Sequence, residues 1–371
     1  GDWKLHKAKC KRLTEIVVDT DVKNRLQSGA LKRRLGTLSE GTVILIIRDP
    51  DITTIGDMNL TVERAGFEAP FVVCKSLLRV DLKGCTKLAS VGDAAFHKCT
   101  SLTSIVLPDS LTQIGYGAFA RCTSLTSVVL PDSLTQVGKS AFGGCTSLTS
   151  IVLPDSLTQV GDAAFSGCSS RTSVVLPDSL TQLGESAFFG CSSLTSVVLP
   201  SSLTLLSKQA FQECTSLTSV VLSDSLTQLS MAAFGECTSL TSVVLPDSLT
   251  ELGEGAFGEC TSLISVVLPD SLTQLGESVF NECTSLTSVL LPVNITQLGI
   301  GAFQDCTSLM SVVLPDSLTK VGKWAFLRCS SLMSVILPDS ATLGDVVFDE
   351  CDALLQKATL AGFDSVEPYL R

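Results

Sequence analysis

From Cys99 to Cys329 the cysteines of this chain recur at a constant spacing of 23 residues. Between them runs nearly the same sentence each time: C-T-S-L-T-S-V-V-L-P-D-S-L-T-Q-(L/V)-G-x-x-A-F-x-x. From Cys74 to Glu350 the array divides into twelve units, one of 25 residues, ten of 23 and one of 22. A period of this length marks a stacked repeat. It overrides any division of the 371 residues into globular domains by length.

One unit can be read physically. In Leu125-Thr126-Ser127-Val128-Val129-Leu130-Pro131, Val128 and Leu130 point to one side, and Ser127 and Val129 to the other. That alternation is a short strand. Pro131 brings no N–H to a ladder and ends it, and Asp132-Ser133 make a turn in which the carboxylate is expected to accept a turn N–H. Leu134 and Val137 return to the interior, Gly138 permits a tight bend, and Ala141-Phe142 read as one helical turn before Cys145. Identical strands related by translation pair in parallel, about 4.7–4.9 Å apart. About seven inward apolar side chains, at roughly 1.5–3 kcal/mol each, do not offset the roughly 1–2 kcal/mol per residue needed to order a lone unit. Stacked units bury each other's open faces, so the array folds as a solenoid.

The pattern resembles the BspA-like leucine-rich repeat, whose units read L-T-S-(V/I)-x-L-P…L-T-x-(I/L)-G-x-x-A-F-x-x-C. The resemblance covers residues 74–350. It implies a leucine-rich-repeat solenoid with a parallel β-sheet on the concave side and short turns or single helical turns on the convex side. It also implies binding or adhesion rather than catalysis. The ends depart from the pattern. "DITTIGDMNL", Asp51 to Leu60, looks like a decayed "SLTQIGDAAF", so residues 42–73 are expected to form a degenerate N-terminal capping unit. Residues 14–41 read as a short helical linker, with Leu31, Leu35 and Leu38 on one face. "CDALLQKATLAGFDSVEPYLR", residues 351–371, starts like a repeat and breaks off, as a C-terminal cap does.

At the start, "GDWKLHKAKCKRL" places His6 and Cys10 four apart, on one face of a helix, where they can share a zinc ion. The spacing Trp3…His6-Lys7…Cys10 resembles the end of a MYND-type zinc finger, W-x-x-H-K-x-x-C, which follows six further cysteines. Residues 1–13 are therefore expected to be the remnant of such a finger. The resemblance implies zinc in the parent protein, an incomplete site on His6 and Cys10, and no cofactor in this chain.

Charge narrows the partners. The formal net charge is −11. Residues 1–40 carry ten Lys/Arg against five Asp/Glu, and the remaining 331 residues carry sixteen against thirty-two. An acidic body repels phosphates, so no nucleic acid is expected on the solenoid. The longest aliphatic run, Val43 to Ile47, is far short of a membrane span. No oligomeric state is specified.

Chemistry-bearing motifs have simpler readings. "GEGAFG", Gly253 to Gly258, matches G-x-G-x-x-G but is the bend of the repeat, with no long helix after it. "GKS" at Gly138 to Ser140 lacks the earlier glycine that a phosphate loop needs. The only histidines are His6 and His97, and His97 falls at an outward variable position, so no enzyme is expected. Twelve of the sixteen Phe occupy one repeat position and are expected to stack in the core. The cysteine ladder reads as buried free thiols, which favours a reducing compartment. Two sequons, at Asn59 and Asn294, point the other way.

What remains is the outward row of the strands. Ser173, Val175, Ser196, Val198, Ser219, Val221, Ser242, Val244, Ser265 and Val267 are the expected centre of a partner-binding groove, edged by the aspartates that follow the prolines. A uniform surface suits an extended, repetitive or basic protein partner. The function expected is a non-enzymatic, intracellular protein-interaction scaffold. The alternative is a cell-surface adhesin for repetitive glycan or matrix ligands. Arg171, at a Leu position, and Val293-Asn294, at an Asp-Ser position, stand apart from the pattern.

Overall fold

A computed structural model describes residues 13–18, 42–47, 54–55, 75 and 77–370, the first two segments as backbone strands. The chain divides into two compact units, residues 1–187 and 188–371. Each is a parallel-strand solenoid, with about twelve turns in all.

In the first unit the Ser-Val-Val segments form the strands Ser104–Val106, Ser127–Val129, Ser150–Val152 and Ser173–Val175. Ser104 pairs with Ser127 and Ser127 with Ser150, so the register advances by one whole repeat per strand. Leu77–Asp81 precedes the first three of these in one parallel sheet, and Thr42–Ile47 and Leu13–Val18 extend it. A helical linker was expected from residue 14, yet Leu13–Val18 is a strand. Ile16, Val17 and Val18 are β-branched, and Thr42–Ile47 offers them a parallel edge. Residues 19–41, with Leu31, Leu35 and Leu38, lie outside the described residues, as does the finger-like segment 1–12.

The same logic builds the second unit. Ser196–Val198 pairs with Ser219–Val221, and a second ladder runs from Ser242–Val244 to Ser334–Ile336. After Cys351 the repeat gives way to α1 (Asp352–Leu360) and α2 (Val366–Leu370), and α1 buries Leu354 and Ala358.

Each turn holds a second strand that the sequence reading did not resolve. Gln113–Ile114, Gln136–Val137 and Gln159–Val160 pair in parallel in the first unit, and Gln274–Leu275, Gln297–Leu298 and Lys320–Val321 in the second. Two residues are too few to show an alternation. The glycine that follows does not take a left-handed conformation. It lets successive backbones approach: a Cβ on Gly138 would lie 2.7 Å from the Ile114 carbonyl oxygen, and one on Gly161 2.6 Å from the Lys139 nitrogen.

The interior is one side-chain set repeated. Leu125, Val128, Leu130, Leu134, Val137, Ala141, Phe142 and Cys145 are all buried in one turn. Phenylalanine rings stack face to face at 5.2–5.5 Å from Phe96 to Phe165. They do so at 5.3–5.8 Å from Phe188 to Phe348. Hydroxyls stitch the turns together. Thr126, Thr149, Thr135 and Thr158 each donate to the carbonyl of the matching residue one turn back. Ser133 and Ser156 donate to Leu111 and Leu134 carbonyls. The Thr hydroxyls add a second bond to carbonyls that already accept the Thr N–H of the next turn, and the Ser hydroxyls reach Leu carbonyls outside the strand ladders.

Arg171 is anchored inside the solenoid by backbone carbonyls and a ring. It is fully buried where other turns carry Leu. Its Nε donates to the Ser173 carbonyl and one terminal nitrogen to the Ile151 carbonyl, and the guanidinium lies 5.3 Å from the centre of the Phe165 ring. The ladder that begins at Leu13–Val18 ends at Ser150–Val152, the strand whose Ile151 carbonyl Arg171 takes.

Candidate functional site

The strands alternate as their sequence requires. Val128, Val174, Val197 and Val243 are buried, while Ser127, Val129 and their equivalents face out. On the first unit the exposed row includes Val129, Val152 and Val175. On the second it runs Val198, Val221, Val244, Val267, Leu290, Val313 and Ile336. Exposure spans 52% at Val313 to 80% at Val175, so this row contributes little to the core. Ser173 and Val175 lie on the first unit. Ser196, Val198, Ser219, Val221, Ser242, Val244, Ser265 and Val267 lie on successive strands of the second, all exposed.

The second unit adds residues that the sequence reading passed over. Ile264, Met310 and Met333 stand where other turns carry Thr, directly before the outward Ser, and all three are exposed. They add apolar side chains to the turns that carry Val267, Val313 and Ile336, with Thr287 in the turn between the first two. The signal was present in the sequence, as three apolar side chains in a polar column.

The acidic edge is more open than expected. Asp132, Asp155, Asp247 and Asp270 are exposed, and their carboxylates accept no turn N–H. The neighbouring serine makes the local bond instead, through its hydroxyl to the previous turn. The carboxylates are thus left facing solvent. At the irregular pair, Val293 is exposed, and the Asn294 amide donates to the Asp270 carbonyl at 3.0 Å in place of the serine bond.

The turn side has a different character. Two positions per turn adopt a left-handed backbone: the second residue after the glycine position and the residue before Cys. Ser140, Ala163 and Ser186 fill the first, at φ 53°, 50° and 55°, and Arg121, Gly144 and Gly167 fill the second, at φ 60°, 72° and 69°. Their N–H groups reach the next turn, as in Ser140 to the Asp162 carbonyl and Gly144 to the Ser166 carbonyl. The expected single helical turn is therefore replaced by a ladder of turns. An α-helical turn would direct these N–H groups back along its own chain and leave the neighbouring turn unsatisfied. Gly253 to Gly258 and Gly138 to Ser140 are pieces of this ladder.

The buried thiols lie behind the turns. Thirteen cysteines from Cys85 to Cys351 are buried and free of disulfides. Thiols along the array donate to the carbonyl of the Phe one turn earlier, as in Cys122 to Phe96 and Cys260 to Phe234, both at 3.2 Å. Burial pushes the Cys122, Cys260 and Cys306 thiols up to about 12. A thiol that keeps its proton is neither nucleophile nor metal ligand. His97 sits half-buried on the turn side, its pKa lowered by burial and then by Lys98 and Arg121. Among the described residues no three His, Cys, Asp or Glu side chains gather as a metal site, and no helix is long and apolar enough to cross a membrane. His6 and Cys10 lie outside the described residues.

Comparison with known proteins agrees with this architecture. The model of the BspA type leucine rich repeat region matches residues 68–170, 135–263 and 227–355. The finger-like segment with His6 and Cys10 falls before the matched residues. None of the curated proteins matches the chain. A leucine-rich repeat protein from Bacteroides ovatus is 31% identical, with a TM-score of 0.68 over 80% of this chain and 84% of that one. A leucine rich cell surface protein from Faecalibacterium prausnitzii is 25% identical, covering 86% and 82%, with a TM-score of 0.49. A leucine-rich repeat protein from Eubacterium ventriosum shares the fold at 21% identity and a TM-score of 0.52, covering 74% and 83%. The repeat sentence, the register of its strands, the family model over residues 68–355 and the 31% identity to the Bacteroides ovatus protein converge: the chain belongs to the BspA-type leucine-rich repeat family.

Proposed function

We propose that this chain is a non-enzymatic binding protein that lays an extended, repetitive partner along its Ser-Val-Val face, in the manner of a cell-surface adhesin. The observation that carries the reading is the exposed aliphatic row. Each outward Val could be Thr with equal fitness for a strand. Aliphatic side chains open to water at every turn of a sheet are a contact surface in waiting. Sameness from turn to turn limits what can be read. A uniform row recognises a repeating partner by many weak contacts in register, which is avidity rather than a single lock. The open aspartates along the edge favour a partner with basic residues, such as a segment of a matrix protein, over an acidic glycan.

Two considerations favour a surface setting over an intracellular scaffold. The family resemblance implies adhesion. The buried thiols, which suggested a reducing compartment, are equally at home outside it. Buried among apolar side chains, they are slow to oxidise whatever the surroundings.

The test is capture of immobilised matrix proteins by the whole chain and by two triple variants. Val198→Lys, Val221→Lys and Val244→Lys together change only exposed side chains, so the fold should persist, with a cost of about 0.5 kcal/mol each. Capture should fall by orders of magnitude, because three cations would be desolvated against the partner. The variant with Glu185, Lys208 and Glu254 changed to Ala on the turn side should bind as before. The reverse pattern would refute the assignment of the strand face.

A further inference from the structure

The turn side of the first unit contains a cleft of about 780 Å³. Its lining includes His97, Lys98, Tyr116, Arg121, Gly144 and Gly167. Three features set it apart from the rest of the turn side. Its left-handed column before Cys begins with two cations and then continues with two glycines, Lys98, Arg121, Gly144 and Gly167. In the second unit the same column reads Gly190, Glu213, Glu236, Glu259, Glu282, Asp305, Arg328 and Glu350, and its one cation, Arg328, lies beside Asp305 and Glu350. Where the second unit carries full acidic side chains, the first leaves open space beneath a basic wall.

The cations are also uncompensated. Neither Lys98 nor Arg121 forms an ion pair among the described residues. The nearby carboxylates are engaged elsewhere. Asp93 accepts the Tyr116 N–H, and Asp162 accepts the Glu185 N–H and pairs with Lys139. Positive potential at the spot is felt by His97, whose protonated form both cations disfavour after burial has done so. The first unit holds 20 Lys/Arg against 18 Asp/Glu, so its field does not oppose an anion at the cleft. The Arg121 stem runs beside Gly144, where a Cβ would come within 3.3 Å of its Cγ, so the glycine makes room for the arginine and for whatever lies beyond it.

We propose that this cleft binds an acidic carbohydrate, with its carboxylate or sulfate held by Lys98 and Arg121 and its ring against Tyr116. The guanidinium offers a planar pair of donors suited to such an oxyanion. Tyr116 is an exposed aromatic with an apolar face and a polar tip. Ser140 and Ser166 line the cleft and offer hydroxyls to the sugar. The volume falls in the range of small-ligand pockets and is several times what a bare inorganic anion fills. The site is separate from the strand face and stands or falls independently of it.

The experiment is calorimetric titration of the whole chain with a glucuronate-containing disaccharide, its neutral counterpart, inorganic sulfate and a short poly-glutamate peptide. The uronate disaccharide should saturate one site with an affinity of about 1 mM or tighter. Arg121→Ala and Lys98→Ala should each weaken it roughly tenfold. Gly144→Glu should abolish binding while leaving the fold intact, since Glu occupies the same left-handed position at Glu213, Glu236 and Glu259. The Val198, Val221 and Val244 lysine variant should bind the disaccharide unchanged. Absence of saturable binding would overturn the proposal. So would equal affinity for the neutral sugar, the sulfate or the peptide, or indifference to all three cleft variants.

Discussion

On the strand side of the first unit, Val129 and Val152 occupy extended backbone that any L residue adopts easily. On the turn side, Ser140 and Ala163 hold left-handed conformations that favour glycine. Yet the permissive side scarcely varies from turn to turn, and the demanding side varies most. Backbone preference therefore explains neither pattern. The valines repeat where Thr would do as well. Charged and bulky side chains appear on the turns where glycine would be easiest, up to Trp324 at φ 62° and Val346 at φ 60°. The contrast supports the proposed uniform contact on one side and local, individual chemistry on the other.

The largest expected effect concerns the interior that both sides share. At pH 8, Cys260 in the native chain should react with a thiol reagent about a thousandfold more slowly than an unhindered cysteine, because burial holds its proton. Reaction at an ordinary rate would place the thiol outside the core and break the division into two faces. Next in size is Arg171→Leu, which restores the repeat at a fully buried site. It should stabilise the chain by about 1–4 kcal/mol in denaturant titrations, the range seen when buried charge gives way to packed hydrocarbon. A loss of stability would mean that the bonds to Ile151 and Ser173 outweigh the burial of the cation.

One substitution made on both sides tests the comparison itself. Val346→Gly relieves a left-handed β-branched residue and should raise stability by about 1 kcal/mol. Val313→Gly puts glycine into a strand and should lower it by roughly 0.5–1 kcal/mol. Equal signs would erase the contrast. The smallest effect lies in the acidic column. Burial, then Glu236 and Glu282, raise the pKa of Glu259. A carboxylate whose folded pKa is raised favours the folded state at low pH and loses that advantage as pH rises through the folded value. Glu259→Gln should therefore stabilise the chain at pH 7, by roughly 0.3 kcal/mol because the side chain is largely exposed. The gain should vanish once Glu259 is protonated in both states.

Much of this was legible in the sequence, because a repeat states its own contacts. Val128 inward and Val129 outward follow from alternation, and the Phe and Cys ladders follow from translation. The second strand, Gln136–Val137, was not legible, because two residues carry no period. Nor was the left-handed ladder, although glycine at Gly117, Gly144 and Gly167 signalled it in some turns and was masked by Ser, Glu or Arg in others. Residues 14–18 read as the start of a helical linker, because a strand that depends on a neighbouring edge shows nothing of that edge in its own residues. The cleft at Lys98 and Arg121 escaped notice because it is made by residues missing a side chain, and it appears only when the columns of the two units are compared.

The division of labour between the two sides can be tested by cysteine protection. In a chain with Cys10 and Cys74 changed to Ser, the thirteen remaining native thiols are buried and slow to react. A single added thiol then reports on its own surroundings. Val221→Cys on the strand side and Glu254→Cys on the turn side are labelled with and without the captured matrix partner. We predict that both react at the rate of an exposed thiol in the free protein, and that the partner slows labelling at Val221→Cys by tenfold or more while leaving Glu254→Cys unchanged. Protection of the turn-side thiol with free labelling at the strand would contradict the account.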